Sequence, residues 1–146
     1  MTANGHHLIR LEFTSRFEML DFVQVVSDHV SRAAGLDDDA LHWVSVSLRE
    51  CVINAIKHGN QSDLNKHVFV EFETSENAPV PELTIRVRDQ GQGFDPELLA
   101  SPLDPENLLK GNGRGIFLIR SFMDDVQLRR LPEGGMEIRM IKRVQA

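Results

Sequence analysis

A chain of 146 residues, 41% hydrophobic and 26% charged, suits one domain with its own core and is too apolar to stay disordered. Its net charge of −6 argues against direct nucleic-acid binding, since binders of that class usually carry the opposite sign. No run approaches the ~18 apolar residues of a membrane helix. The opening "MTANGHHLIRLEFTSRFEML" lacks the basic and apolar blocks of a secretory signal, and the single Cys51 excludes an internal disulfide or a cysteine metal cluster. A cytoplasmic protein with no membrane association is expected.

In chain order, "HLIRLEFTS" alternates, with Ile9, Leu11 and Phe13 on one side and Arg10 and Glu12 on the other, as in a half-buried strand. From Arg16 to Ala34, apolar residues at Met19, Phe22, Val23, Val26, Val30 and Ala33 recur at helical steps, and Gly35 ends the pattern. "DDDA" supplies an acidic start for a second helix, expected from Asp38 to His58 and closed by Gly59. "KHVFVEFET" and "ELTIRVRD" alternate as strands around an "NAPVP" turn. The stretch from Gln90 to Gly113 is rich in Gly and Pro and reads as a long loop, which in a compact domain is more often functional than accidental. "GRGIFLIRSFM" reads as a third helix, and "DVQLRRL", "PEGG" and "MEIRMIKRV" as a closing hairpin. Strands and helices do not alternate simply. The expected class is therefore α+β, a two-layer sandwich in which one mixed β-sheet carries helices on one face, with residues 1–146 forming a single domain.

Three places carry candidate chemistry. The first is "RECVINAIKHGN", Arg49 to Asn60. At ~100° per residue, Asn54 lies about 40° and His58 about 80° from Glu50 around the helix, so the three share a stripe. Leu48, Val52 and Ala55 form the packing side, while Val46, Ile53 and Ile56 flank the stripe. Alone, this fits a solvated face as well as a site. The second is "RDQGQGFD", where a strand ends in Asp89 and Gly91 and Gly93 follow. Glycines let backbone approach a flat ligand, and a carboxylate there can accept from an exocyclic amine such as that of adenine; a plain turn reads the same way. The third is "GNGRGIFLI", in which Gly111, Gly113 and Gly115 lead into a helix beside Lys110 and Arg114. Bare N–H groups at a helix start hold phosphates. The pattern is neither a Walker loop nor a dinucleotide fingerprint.

The order of these three, with a lid-like loop between the last two, resembles the GHKL ATPase superfamily with its Bergerat-type ATP site. The short lid and the tail "IRSFMDDV" are most similar to the anti-sigma-factor serine kinases. The resemblance runs from Leu8 to Arg143. It implies ATP and Mg²⁺ as ligands, Asn54 as the magnesium ligand and Glu50 as general base toward a serine hydroxyl. It implies a supporting role for His58, adenine reading by Asp89 with Gly91 and Gly93 shaping the base pocket, and phosphate wrapping by Gly111, Gly113 and Gly115 with Lys110 and Arg114 as charge partners. One departure stands out: Met136 occupies the place of a threonine whose hydroxyl supports the adenine-reading aspartate, and a thioether cannot donate. The function implied is a protein-serine kinase that sequesters a sigma factor as a homodimer and phosphorylates a STAS-fold antagonist. The alternative is a nucleotide-gated binding module of the same fold without useful kinase activity.

Overall fold

The computed structural model describes residues 6–75, 80–91 and 118–144. Strand β1 (His6–Thr14) leads into α1 (Met19–Ala33) and α2 (Asp38–Asn54), then β2 (His67–Ser75), β3 (Glu82–Arg88), β4 (Asp125–Arg130) and β5 (Met136–Arg143). Residues 118–122 are helical and precede β4. The strands form one five-stranded sheet in the order β1-β2-β3-β5-β4.

The α+β class and the helix-covered face are as expected. The mixed sheet is corrected, because all four strand pairings are antiparallel. A single helix between strands returns the chain for a parallel partner. Here two consecutive helices separate β1 from β2, so β2 runs back against β1. Strands β3 and β4 do point the same way, but β5 inserts between them and pairs antiparallel with both.

The period-2 patterns set the two faces. Across the sheet, Leu11, Val70, Val87, Ile138 and Leu128 align in one inner row, and Ile9, Phe72, Ile85, Met140 and Val126 in the next. Apart from Ile9, which is exposed on the edge strand, these rows join Val23 and Val30 of α1 and Val44, Leu48 and Val52 of α2 in one core. The outer face carries cross-strand ion pairs, with Arg10 on Glu71, Arg86 on Glu73, and both Arg88 and Arg129 on Glu137. Burial alone would raise the Glu137 pKa, but the two guanidinium hydrogen bonds outweigh it and hold the group below its ordinary value.

Helix α2 begins where expected. The Asp37 carboxylate accepts from the Ala40 amide at 2.8 Å, satisfying an otherwise open N–H. Its end differs from the continuous helix expected to His58. The α-helix stops at Asn54, and Ala55–Gly59 form a π turn closed by the Asn60 amide on the Ala55 carbonyl at 2.8 Å. Such wide turns are rare and frequently mark functional sites.

Candidate functional site

Two structural ends meet here: the C-terminal part of α2 with its π turn, and the C-terminal end of β3. On α2, Leu48, Cys51 and Val52 are fully buried and fix the helix against the sheet. That packing leaves Glu50 half-buried on the adjoining side. Asn54 is itself buried, and its amide makes no hydrogen bond among the described residues. A neutral oxygen of this kind fits a hard cation that keeps several waters and borrows its other ligands from phosphates. Among the described residues, no group of three or more His, Cys, Asp or Glu could hold a metal by itself. His58 lies in the π turn, whose wider winding displaces it from the position that strict α spacing predicts, and it is exposed. Partial burial and then the Lys57 ammonium lower its pKa. Cys51 is core, as its setting in the helix suggests; burial drives its pKa far up and the thiol is inert.

At the end of β3, Asp89 is 5% exposed. Its Oδ1 accepts from the Gly91 amide at 2.9 Å and the Met136 amide at 3.2 Å, while its own N–H donates to the Met136 carbonyl at 3.1 Å. Oδ2 has no hydrogen-bond partner among the described residues. Burial raises the Asp89 pKa above its ordinary value, against the pull of the two amides and of Lys66.

Backbone from three elements crowds this carboxylate. A Cβ on Gly59 would overlap the Asp89 carboxylate, one on Gly91 would overlap the Gly59 carbonyl, and one on Gly135 would overlap the Asp89 carbonyl. Gly135 also has φ +90°, which a side chain disfavours. Support for Asp89 comes from the main chain at residue 136, which any residue there supplies except proline, while the Met136 side chain is buried.

Of the residues picked out from the sequence, Glu50, Asn54, His58, Asp89 and Gly91 are described here. Gly93, Lys110, Gly111, Gly113, Arg114 and Gly115 lie outside the described residues. Sequence reasoning assigned nothing to Ser15, Asn60, Gln90 or Gly135. The one hint was "HGN", where an asparagine follows the glycine that closes the helix.

Comparison with known proteins adds four findings. The sequence pattern of the histidine kinase-like ATPase domain matches residues 13–142. The chain is 26% identical over 132 residues to the serine-protein kinase RsbW of Listeria innocua, covering 86% of this chain and 82% of that one. It is 28% identical over 144 residues to the serine-protein kinase RsbW of Staphylococcus aureus, covering 94% and 87%. Among solved structures, the RsbU and RsbW domains of a Mycobacterium tuberculosis protein superpose with a TM-score of 0.67 at 14% identity, which speaks to the fold alone. That match covers 94% of this chain and 32% of the longer one.

Proposed function

The chain belongs to the histidine kinase-like ATPase domain family, and from that premise we infer that it is an ATP-dependent protein-serine kinase acting as an anti-sigma factor. The observation that carries this reading is the enclosure of Asp89, a buried carboxylate with one oxygen tied to two amides and glycine backbone on three sides. Such a setting suits recognition of a flat base bearing an exocyclic amine, and the family's ATP use supplies adenine. The serine-kinase relatives of similar length support the choice of acceptor.

The roles divide along the two ends. Asp89 Oδ2 accepts from the adenine amine, and Gly91 and Gly93 leave room for the ring. Gly111, Gly113 and Gly115 offer backbone N–H groups to the phosphates, with Lys110 and Arg114 beside them. Asn54 would hold Mg²⁺, which when bound neutralises developing phosphate charge. Glu50, one helical turn before Asn54, accepts the proton of the incoming serine hydroxyl as its oxygen bonds to the γ-phosphorus and the bond to the ADP leaving oxygen breaks. His58 supports the end of the turn.

The partners proposed are a sigma factor, a STAS-fold antagonist that presents the serine, and a second copy of this chain. For the homodimer, edge strand β1 exposes Leu8 and Ile9, and Phe17 with Phe22 and Val25 of α1 are exposed as well. No described helix is long and apolar enough to cross a membrane, and a cytoplasmic setting without direct nucleic-acid binding is proposed. The deciding experiment incubates the protein with a cognate STAS protein, ATP and Mg²⁺, followed by intact-mass measurement. Gain of one phosphate on the antagonist is expected. ATP-dependent binding with no mass change would replace the kinase by a nucleotide-gated module.

A further inference from the structure

The residue that ties the two ends of the site together is Asn60. It is completely buried, and both donors and the oxygen of its side chain are engaged. Nδ2 donates to the Ser15 hydroxyl at the end of β1 and to the His67 carbonyl at the start of β2, both at 2.9 Å. Oδ1 accepts from the Gln90 amide at 2.7 Å. Gln90 closes the ring, since its side-chain oxygen accepts from the His67 amide at 2.7 Å. Ser15 is anchored in turn by its hydroxyl on the Lys66 carbonyl at 2.8 Å. In the chain, Asn60 follows Gly59, and Gln90 sits between Asp89 and Gly91. The Asn60–Gln90 bond therefore flanks the place where the Gly59 carbonyl presses on Gly91 and where Gly59 faces the Asp89 carboxylate.

We propose that Asn60 is a positioning residue for base selectivity: it clamps the π turn to the end of β3 and so fixes where Asp89 Oδ2 meets the base. This rests on the reading of Asp89 as the adenine acceptor. The clamp fits that task because its reach is short and directional. An amide supplies two donors and an acceptor in one plane, and here each meets a different segment. Loss of the side chain frees the Gln90 amide, and with it the turn that aims Asp89. A site built to hydrogen-bond one group discriminates strongly against an analogue lacking it, and that discrimination depends on the acceptor's placement. The consequence is specific. Misplacing Asp89 weakens nucleotides that use it and spares those that do not.

The test compares ATP with inosine triphosphate, whose ring carries an oxygen where adenine carries the amine, by calorimetric titration in Mg²⁺. Wild-type protein is expected to prefer ATP by about tenfold or more. Asn60→Ala should lower ATP affinity by about tenfold while inosine triphosphate affinity stays within about twofold, because a lost charged hydrogen bond is felt only by the ligand that makes it. Ser15→Ala, which removes one acceptor of the clamp and leaves Asn60 in place, should shift the same ratio in the same direction by about threefold. In an Asp89→Asn background the Asn60→Ala effect on ATP should vanish, since residues acting through one contact are not additive. Equal weakening of both nucleotides would reduce Asn60 to general structural support and overturn the proposal. So would unchanged ATP affinity. If Asn60→Ala does not fold, the Ser15→Ala ratio decides by the same criteria. A wild-type protein that binds both nucleotides equally brings down the base-reading role of Asp89 itself, and the inference goes with it.

Discussion

Asp89 and Asn54 are both buried polar side chains at the end of a regular element, yet they are held in opposite ways. Around Asp89, the amides of Gly91 and Met136 occupy one oxygen, and the backbone of Gly59, Gly91 and Gly135 closes in without room for a side chain. Around Asn54, no hydrogen bond forms among the described residues. The strand end is preorganised by backbone, although burial still holds the Asp89 pKa above its ordinary value. The helix end presents an amide that no described residue engages. A site divided in this way should lose stability when the strand end is disturbed and lose function alone when the helix end is disturbed.

The largest effect is expected from Glu50→Gln. Phosphotransfer should fall by ~10²–10⁴-fold, the range for a positioned general base, with ATP affinity and thermal stability unchanged. Single-turnover transfer to the antagonist's serine measures it, and a wild-type rate would remove Glu50 from the role of base. Asn54→Ala should cost about 100-fold or more in Mg²⁺-dependent ATP affinity, beyond what partners of metal ligands usually cost. Its melting temperature should hold or rise, because an amide that no described residue engages is replaced by a good helix former. Undiminished affinity in a calorimetric titration would sink the metal assignment, and a clear drop in melting temperature would break the contrast between the two ends.

Gly135→Ala should destabilise the fold by about 2 kcal/mol in denaturant unfolding, combining an unfavourable φ with overlap on Asp89. Gly134→Ala shares the positive φ, at +103°, but meets only the Gly91 carbonyl at 3.4 Å, so its cost should be distinctly smaller. Equal costs would mean that the close approach to Asp89 contributes nothing. The smallest effect is the pH dependence of Asp89. Burial lifts its pKa above the ordinary value of 3.8, so the folded state retains a proton that the unfolded chain has lost. Stability from this group is full below that ordinary value and declines as pH rises through the raised one. ATP affinity should run the other way, falling severalfold as pH drops through the raised value, because the ionised carboxylate is the better acceptor. Asp89→Asn should flatten both profiles. An unaltered slope in titrations from about pH 4.5 to 7.5 would assign the dependence to another group.

Much of this was legible in the residues themselves. Alternation located the strands, and the acidic "DDDA" marked the start of α2 through Asp37. The packing side of α2 was correct at Leu48, Val52 and Ala55, all buried. Asp89 stood out as a carboxylate followed by glycines at a strand end. The π turn after Asn54 was not legible, since "AIKHG" carries no residue that α geometry forbids. Nor was the antiparallel sheet, because the insertion of β5 between β3 and β4 joins segments that local patterns treat as independent. The Met136 side chain supplies no hydroxyl to Asp89, while the amide that its main chain donates there is a contact that side-chain identity does not report.

The sequence by itself determined which elements form, which faces are apolar, and which residue types with chemistry stand at their ends. Periodicity and turn chemistry act over a few residues, and those signals are written in side chains. Only the tertiary structure decided that Gly59, Gly91 and Gly135 converge on one carboxylate, and that Asn60 binds segments of β1, β2 and β3 in a single ring of hydrogen bonds. These are contacts of backbone and of one short amide across long stretches of chain. Their geometry follows from how the sheet and α2 pack, and no local pattern encodes it.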